Sequence, residues 1–135
     1  MQRIDRAYLR IANRSLDAAD GAGDAGVHEK AGFLAYHAFE SAGGAYCTSR
    51  GVQYHPASHR QKIERFVRAA RPEAFALSAA QLAIVVASLR NRMLYPNVLP
   101  DGSAEVPENL ITPAQTKRLA GRVRVLAARV GAALP

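Results

Sequence analysis

Leu77–Pro96, LSAAQLAIVVASLRNRMLYP, is the stretch whose reading decides the fold. Ser78 followed by Gln81 has the form of a capping box, which predicts a helix start there. Pro96 disfavours helical geometry at Tyr95 and predicts the stop. Between these signals Leu82, Val86, Leu89 and Met93 recur at i, i+4, i+7 and i+11. Ala83, Ile84, Val85 and Ala87 fill the other sides, and only Gln81, Ser88 and Arg92 form a polar line. A helix apolar almost all round is expected to lie between other elements or between subunits. Its last two turns carry Arg90, Asn91, Arg92 and Tyr95, so an expected buried helix ends in a polar cluster.

The flanking sequence supplies helices to surround it. A first helix is expected over Ile4–Ala19, with Ile4, Tyr8, Ile11 and Ser15 on one face and Arg3, Arg6, Arg10 and Arg14 on another. The glycines of DGAGDAG, residues 20–26, predict a turn or loop. A second helix, about Val27–Ser49, has a small-residue face of Ala31, Leu34, Ala35, Ala38, Ala42 and Ala45. A third starts near Ser58 and ends before Pro72, turning Ile63, Phe66, Val67 and Ala70 inward. Beyond Pro96, a connection with Pro100, Asp101–Gly102 and Pro107 is long for a bundle, and such loops tend to be functional or mobile. Thr112, Pro113 and Gln115 give a strong start to a last helix whose core stripe is Leu119, Val123, Leu126 and Val130. Lys117, Arg118, Arg122, Arg124 and Arg129 are expected in solvent. Strand alternation and internal repeats are absent. The expectation is one all-α domain over residues 1–135, an antiparallel up-and-down bundle of four or five helices.

Charge bounds the partner. Eighteen Lys and Arg against eleven Asp and Glu give a net charge of +7 and a pI near 10.2. Such a balance favours an anionic partner, nucleic acid first, or else arginine serves as a general surface residue. Cys47 is the only cysteine, so an intrachain disulfide and a thiolate zinc cluster are both ruled out, and a reducing cytoplasm is the simplest compartment. Charges throughout the first residues argue against a signal peptide. The longest uncharged run, Ala74–Leu89, falls short of the ~20 residues a membrane helix needs, so a soluble chain without membrane contact is expected.

The histidines offer little for metal. His55 and His59 stand at the start of the third helix, but Pro56 interrupts them and no carboxylate adjoins, so neither metal nor cofactor is expected. Either could donate a proton-transfer group if that helix start faces Arg90. His37 reads as a packing residue, His28 as a terminal surface one, and Cys47 as a buried thiol. Glu40, among small and aromatic neighbours, is expected to pair with Arg90 across the bundle.

From about Asp5 to Val130 the chain resembles the HEPN superfamily. The resemblance rests on FLAYHAFESAGGAYCTSRGV in the second helix, the His55/His59 helix start, and above all LRNRMLYP. It implies a small helical bundle that forms a homodimer. In active members an Arg, a polar neighbour (often Asn) and a His four to six residues on come from two subunits to line a cleft that cuts RNA without metal. Many bacterial members are toxins encoded beside a minimal nucleotidyltransferase antitoxin, and others belong to defence systems. Arg90 matches the motif arginine and Asn91 its neighbour. The position where the histidine could stand holds Tyr95, and no histidine follows Arg90.

That departure bears on chemistry. Arginine binds phosphate bidentately and supplies positive charge. Tyrosine, with a pKa near ~10, is a poor base at neutrality, but its ring can stack a base for ~1–3 kcal/mol. Arg90, Asn91 and Tyr95 are therefore expected to line a cleft that binds RNA or a nucleotide, with slow or absent metal-independent cleavage. Arg92, Arg118 and Arg122 are the expected nucleic-acid contacts, although a cation in a last helical turn also has a purely structural use, against the macrodipole. The alternative is a non-catalytic interaction module that dimerises and binds a nucleotidyltransferase-type partner.

Overall fold

Alanine and glycine repeated along residues 31–45 let one helix sit in the middle of the molecule. The computed structural model, which describes residues 3–135, contains α1 (Ile4–Asp24), α2 (His28–Ser49), α3 (His59–Ala69) and α4 (Ala76–Leu94). A two-stranded antiparallel ribbon follows, β1 (Asn97–Val98) pairing with β2 (Ala104–Glu105), then a one-turn helix α5 (Pro107–Leu110) and α6 (Pro113–Ala133). The chain is an all-α bundle, as its periodicity predicts.

The centre is α2 rather than α4. Every residue of α2 from Ala38 to Cys47 is buried. Gly44 lets the Tyr8 ring of α1 lie against the α2 backbone: a Cβ there would come within 2.8 Å of it. Gly32 does the same for Met93 of α4 and Thr116 of α6. Contacts at both ends fix the directions. Gly32 meets Met93 and Tyr46 meets Phe75, so α4 runs antiparallel to α2. His28 bonds the carbonyl of Ile111 while Arg50 bonds that of Ala133, so α6 runs parallel to α2. The α1 start meets Pro135 and its end meets Arg124, so α1 and α6 are antiparallel.

The expected central helix packs on one side only. Leu82, Val86, Leu89 and Met93 are buried, as their spacing predicts, but Leu77 and Ile84 are 69% and 73% exposed. Small residues can be enclosed on all sides by close-approaching backbones, whereas the bulky outer side of α4 finds no partner among the described residues. Its start also differs. Phe75, wedged edge-on against Tyr46, sets the first turn, so the helix begins at Ala76 and Ser78 lies inside it without capping.

Two further expectations are corrected in α1. The helix continues through the glycines to Asp24 and turns only at Ala25–Val27, with Gly26 at φ +81°. Each helical glycine costs roughly 0.5–1 kcal/mol, which is offset as Ala19 packs into the core and Asp20 pairs with Arg124 at 2.8 Å. The buried face carries Asp5, Ala12, Ser15, Leu16 and Ala19, leaving Ile4 and Ile11 exposed. Elsewhere the reading holds: Thr112 and Gln115 form both bonds of the α6 capping box, and Leu119, Val123, Leu126 and Val130 are buried. No described helix is long and apolar enough to cross a membrane.

Candidate functional site

At 100° per residue, the end of α4 sends its polar side chains to two different sides. Arg90, four residues after buried Val86, turns inward toward α2. Asn91 and Tyr95 turn outward, on the same stripe as Ile84 and Ser88. The structure therefore does not bring the three residues into one cleft of a single chain.

On the outer side, Asn91, Arg92 and Tyr95 line a depression of about 410 Å³ floored by Pro96, Asn97 and Leu110. Tyr95 is 57% exposed, so its ring is not a core filler. Arg92 also lines the neighbouring groove between α4 and α6, of about 420 Å³, together with Arg118 and Arg122. The apolar floor of that groove includes Val85, Leu89 and Leu119, and no carboxylate lines either recess. Arg92 of α4 and the one-turn pair Arg118 and Arg122 of α6 thus share one surface with the exposed tyrosine.

On the inner side, the expected Glu40–Arg90 pair does not form, because both Glu40 oxygens are already taken. The Tyr36 hydroxyl donates to Oε2 at 2.6 Å, His59 Nδ1 sits 2.7 Å from the same oxygen, and Lys62 Nζ donates to Oε1 at 3.3 Å. Burial pushes the Glu40 carboxyl up. The hydrogen bonds from Tyr36 and His59 and the nearby cations outweigh that, and hold it below the ordinary carboxylate value. An ionised carboxylate only accepts, so His59 must carry its proton on Nδ1. This leaves Nε2 as the unoccupied ring nitrogen of a side chain that is 53% exposed.

Arg90 completes this cluster. Its guanidinium carbon lies 5.6 Å from the centre of the Tyr36 ring, and the His59 ring meets the same ring at 6.1 Å between centres. Among the described residues Arg90 has no carboxylate partner, and its buried Nε has no hydrogen-bond partner. Burial and the Glu40 carboxylate push the Tyr36 phenol upward, and the Arg90 charge pulls it partly back.

Sequence reasoning reached His59 and Glu40 only as separate residues. Nothing in their spacing shows that they meet; the α2–α3 packing does that. Tyr36 and Lys62 were missed, the first hidden in a buried run and the second among ordinary surface cations. The other histidines part from expectation. His37 is exposed, while the ring of His28 bonds the carbonyls of Glu108 and Ile111 and ties α2 to α5. Cys47 is buried as expected, its thiol pushed up to about 12 by burial. The described residues contain no group of three metal-ligating side chains. Comparison with protein-family models, curated proteins and solved structures finds no match.

Proposed function

We propose that the chain binds RNA or a nucleotide at the end of α4, as expected of a HEPN-like protein with a degenerate motif. The observation that carries the reading is the pair of recesses, with no carboxylate in their lining, in which Arg92, Arg118 and Arg122 adjoin the exposed Tyr95 ring. Phosphates pair with the guanidiniums and an unpaired base stacks on Tyr95. Arg90, without a carboxylate partner, is the inner cation that receives a phosphate beside Tyr36. The net charge of +7 draws such a ligand in.

The experiment is fluorescence anisotropy with a short labelled single-stranded RNA and with mononucleotides, across a salt series. Tyr95→Ala should weaken RNA binding by about 5- to 150-fold, the equivalent of ~1–3 kcal/mol. Joint replacement of Arg92, Arg118 and Arg122 by Ala should flatten the salt dependence by about 2 in slope, since each single-strand phosphate contact contributes ~0.7. Arg90→Ala should weaken binding while leaving the melting temperature nearly unchanged. Failure of the wild-type chain to bind at low salt overturns the reading.

A second reading rests on a different observation. Leu77 and Ile84 stand out of α4 beside an apolar groove formed with Ile63 and Val67 of α3. This exposed side is the surface for a homodimer, or for a nucleotidyltransferase-type partner in a toxin–antitoxin or defence module. In that interaction module the arginines are structural. Ile84→Arg would then abolish dimerisation in light scattering, and the arginine replacements would leave RNA binding unmoved.

A further inference from the structure

Neither α4 nor α6 contains an aspartate or a glutamate. Of their cations, only Arg124 meets carboxylates among the described residues, those of Asp17 and Asp20. Both helices pack on α2 and run antiparallel to each other, and the groove of about 420 Å³ stays open between them. Val85, Leu89 and Leu119 floor it, with Arg92 on the α4 side and Arg118 and Arg122 on the α6 side. Ile84 lines the same groove although most of its surface is exposed. Along α6 the stripe continues past the groove, since Val125 and Arg129 follow Arg122 at i+3 and i+7 and both are exposed. An apolar floor thus runs between unpaired guanidiniums contributed by two helices.

Such a groove fits a ligand that is apolar on one side and anionic on its flanks. The ligand must also satisfy its own backbone, because helices bond their N–H and C=O groups internally and offer no strand edge. An extended peptide would leave those groups unpaired on Val85 and Leu89, whereas a helix would not. A nucleic acid pairs with the arginines but sets no alkyl side chain on the floor. We propose that the α4–α6 groove docks an acidic amphipathic helix of a partner protein, which excludes RNA by occupying Arg92, Arg118 and Arg122. The docking stands independently of the RNA-binding reading above; the exclusion rests on it. Residues 84 to 92 of α4 span about 12 Å, so the docked helix makes contact over two to three turns. It presents apolar residues at i, i+3 or i+4, and i+7, with Asp or Glu on both flanks. Ion pairs at an exposed rim add little affinity, so the floor holds the helix and the arginines select its charge and speed its approach.

The test uses a labelled synthetic peptide of about 14 residues, four helical turns, with leucine at i, i+3, i+7 and i+10 and glutamate on both flanks. One control carries lysine for every glutamate, and a second has the same composition scrambled so that no apolar face forms. In fluorescence anisotropy the acidic amphipathic peptide should bind about 10-fold or more tightly than either control, since like charges repel and a scrambled helix buries little apolar area. Ile84→Ser should weaken peptide binding by about 5- to 20-fold, leaving RNA binding and melting temperature unmoved because Ile84 is exposed and uncharged. Joint replacement of Arg118 and Arg122 by Ala should weaken both ligands, and unlabelled acidic peptide should displace labelled RNA. If RNA binds and the peptide does not, the docking is overturned and the RNA reading survives. If the peptide binds and RNA does not, the docking stands and the RNA reading fails. Equal binding of the scrambled peptide, or no effect of Ile84→Ser, overturns the docking, and simultaneous binding of peptide and RNA overturns the exclusion. A chain that sediments with phosphatidylglycerol vesicles but ignores the peptide overturns the docking as well.

Discussion

Gly43→Ala tests the close approach of α2 and α3 that joins Glu40 to His59. Two effects oppose each other. Replacing a mid-helix glycine by alanine gains about 0.5–1 kcal/mol in backbone entropy. The added methyl, however, would lie 2.8 Å from the Tyr54 hydroxyl oxygen and 2.9 Å from the Phe66 ring. Neither neighbour can retreat. Tyr54 is pinned by its bond to the Glu40 carbonyl, and Phe66 is fully buried, with Phe39 edge-on and Tyr46 tilted against it. Overpacking costs about 1–3 kcal/mol, and displacing the Tyr54 hydroxyl from its carbonyl adds about 1 kcal/mol. The clash wins, with a net loss of roughly 1–3 kcal/mol. For a chain of this length each kcal/mol moves Tm by about 3–6 °C, so Gly43→Ala should melt about 3–18 °C lower. Gly121→Ala is the control: this exposed glycine lies mid-α6 with nothing within 4 Å of an added Cβ. There only the entropy gain operates, and Tm should rise by a few degrees. Calorimetry of both variants decides the matter. If Gly43→Ala is as stabilising as Gly121→Ala, α3 does not lie where the Glu40–His59 pair needs it.

Two further outcomes follow from particular groups. Glu40→Gln should lower stability at pH 7 by about 1–3 kcal/mol, since hydrogen bonds to a charged acceptor are lost or weakened. The Glu40 carboxyl is held below its ordinary 4.5, so its contribution is present above that pH and fades as pH falls below it. The gap in urea midpoint between wild type and Glu40→Gln should therefore narrow as the pH falls below 4.5. Thr112→Ala should cost about 0.5–2 kcal/mol by removing the acceptor for the Gln115 amide, whereas Ser78→Ala, which caps nothing, should be nearly neutral in the same denaturation assay.

The all-helical class was legible in the sequence because 3.6-residue apolar spacing is a local property of each segment. The buried stripes of α4 and α6 and the Thr112 cap follow from neighbours within a few residues, and all appear as spacing predicts. Which helix lies at the centre depends on how closely backbones approach. That made the small residues of α2, rather than the bulk of α4, decisive, and left Leu77 and Ile84 exposed. The site divides the same way. Arginines near the end of α4 could be picked out one by one from the sequence. Only the tertiary structure could gather Arg92 with Arg118 and Arg122, and set His59 on Glu40 across 19 positions of chain. Local spacing carries the direction of a side chain around its own helix axis, and carries nothing about which distant helix will be there to meet it.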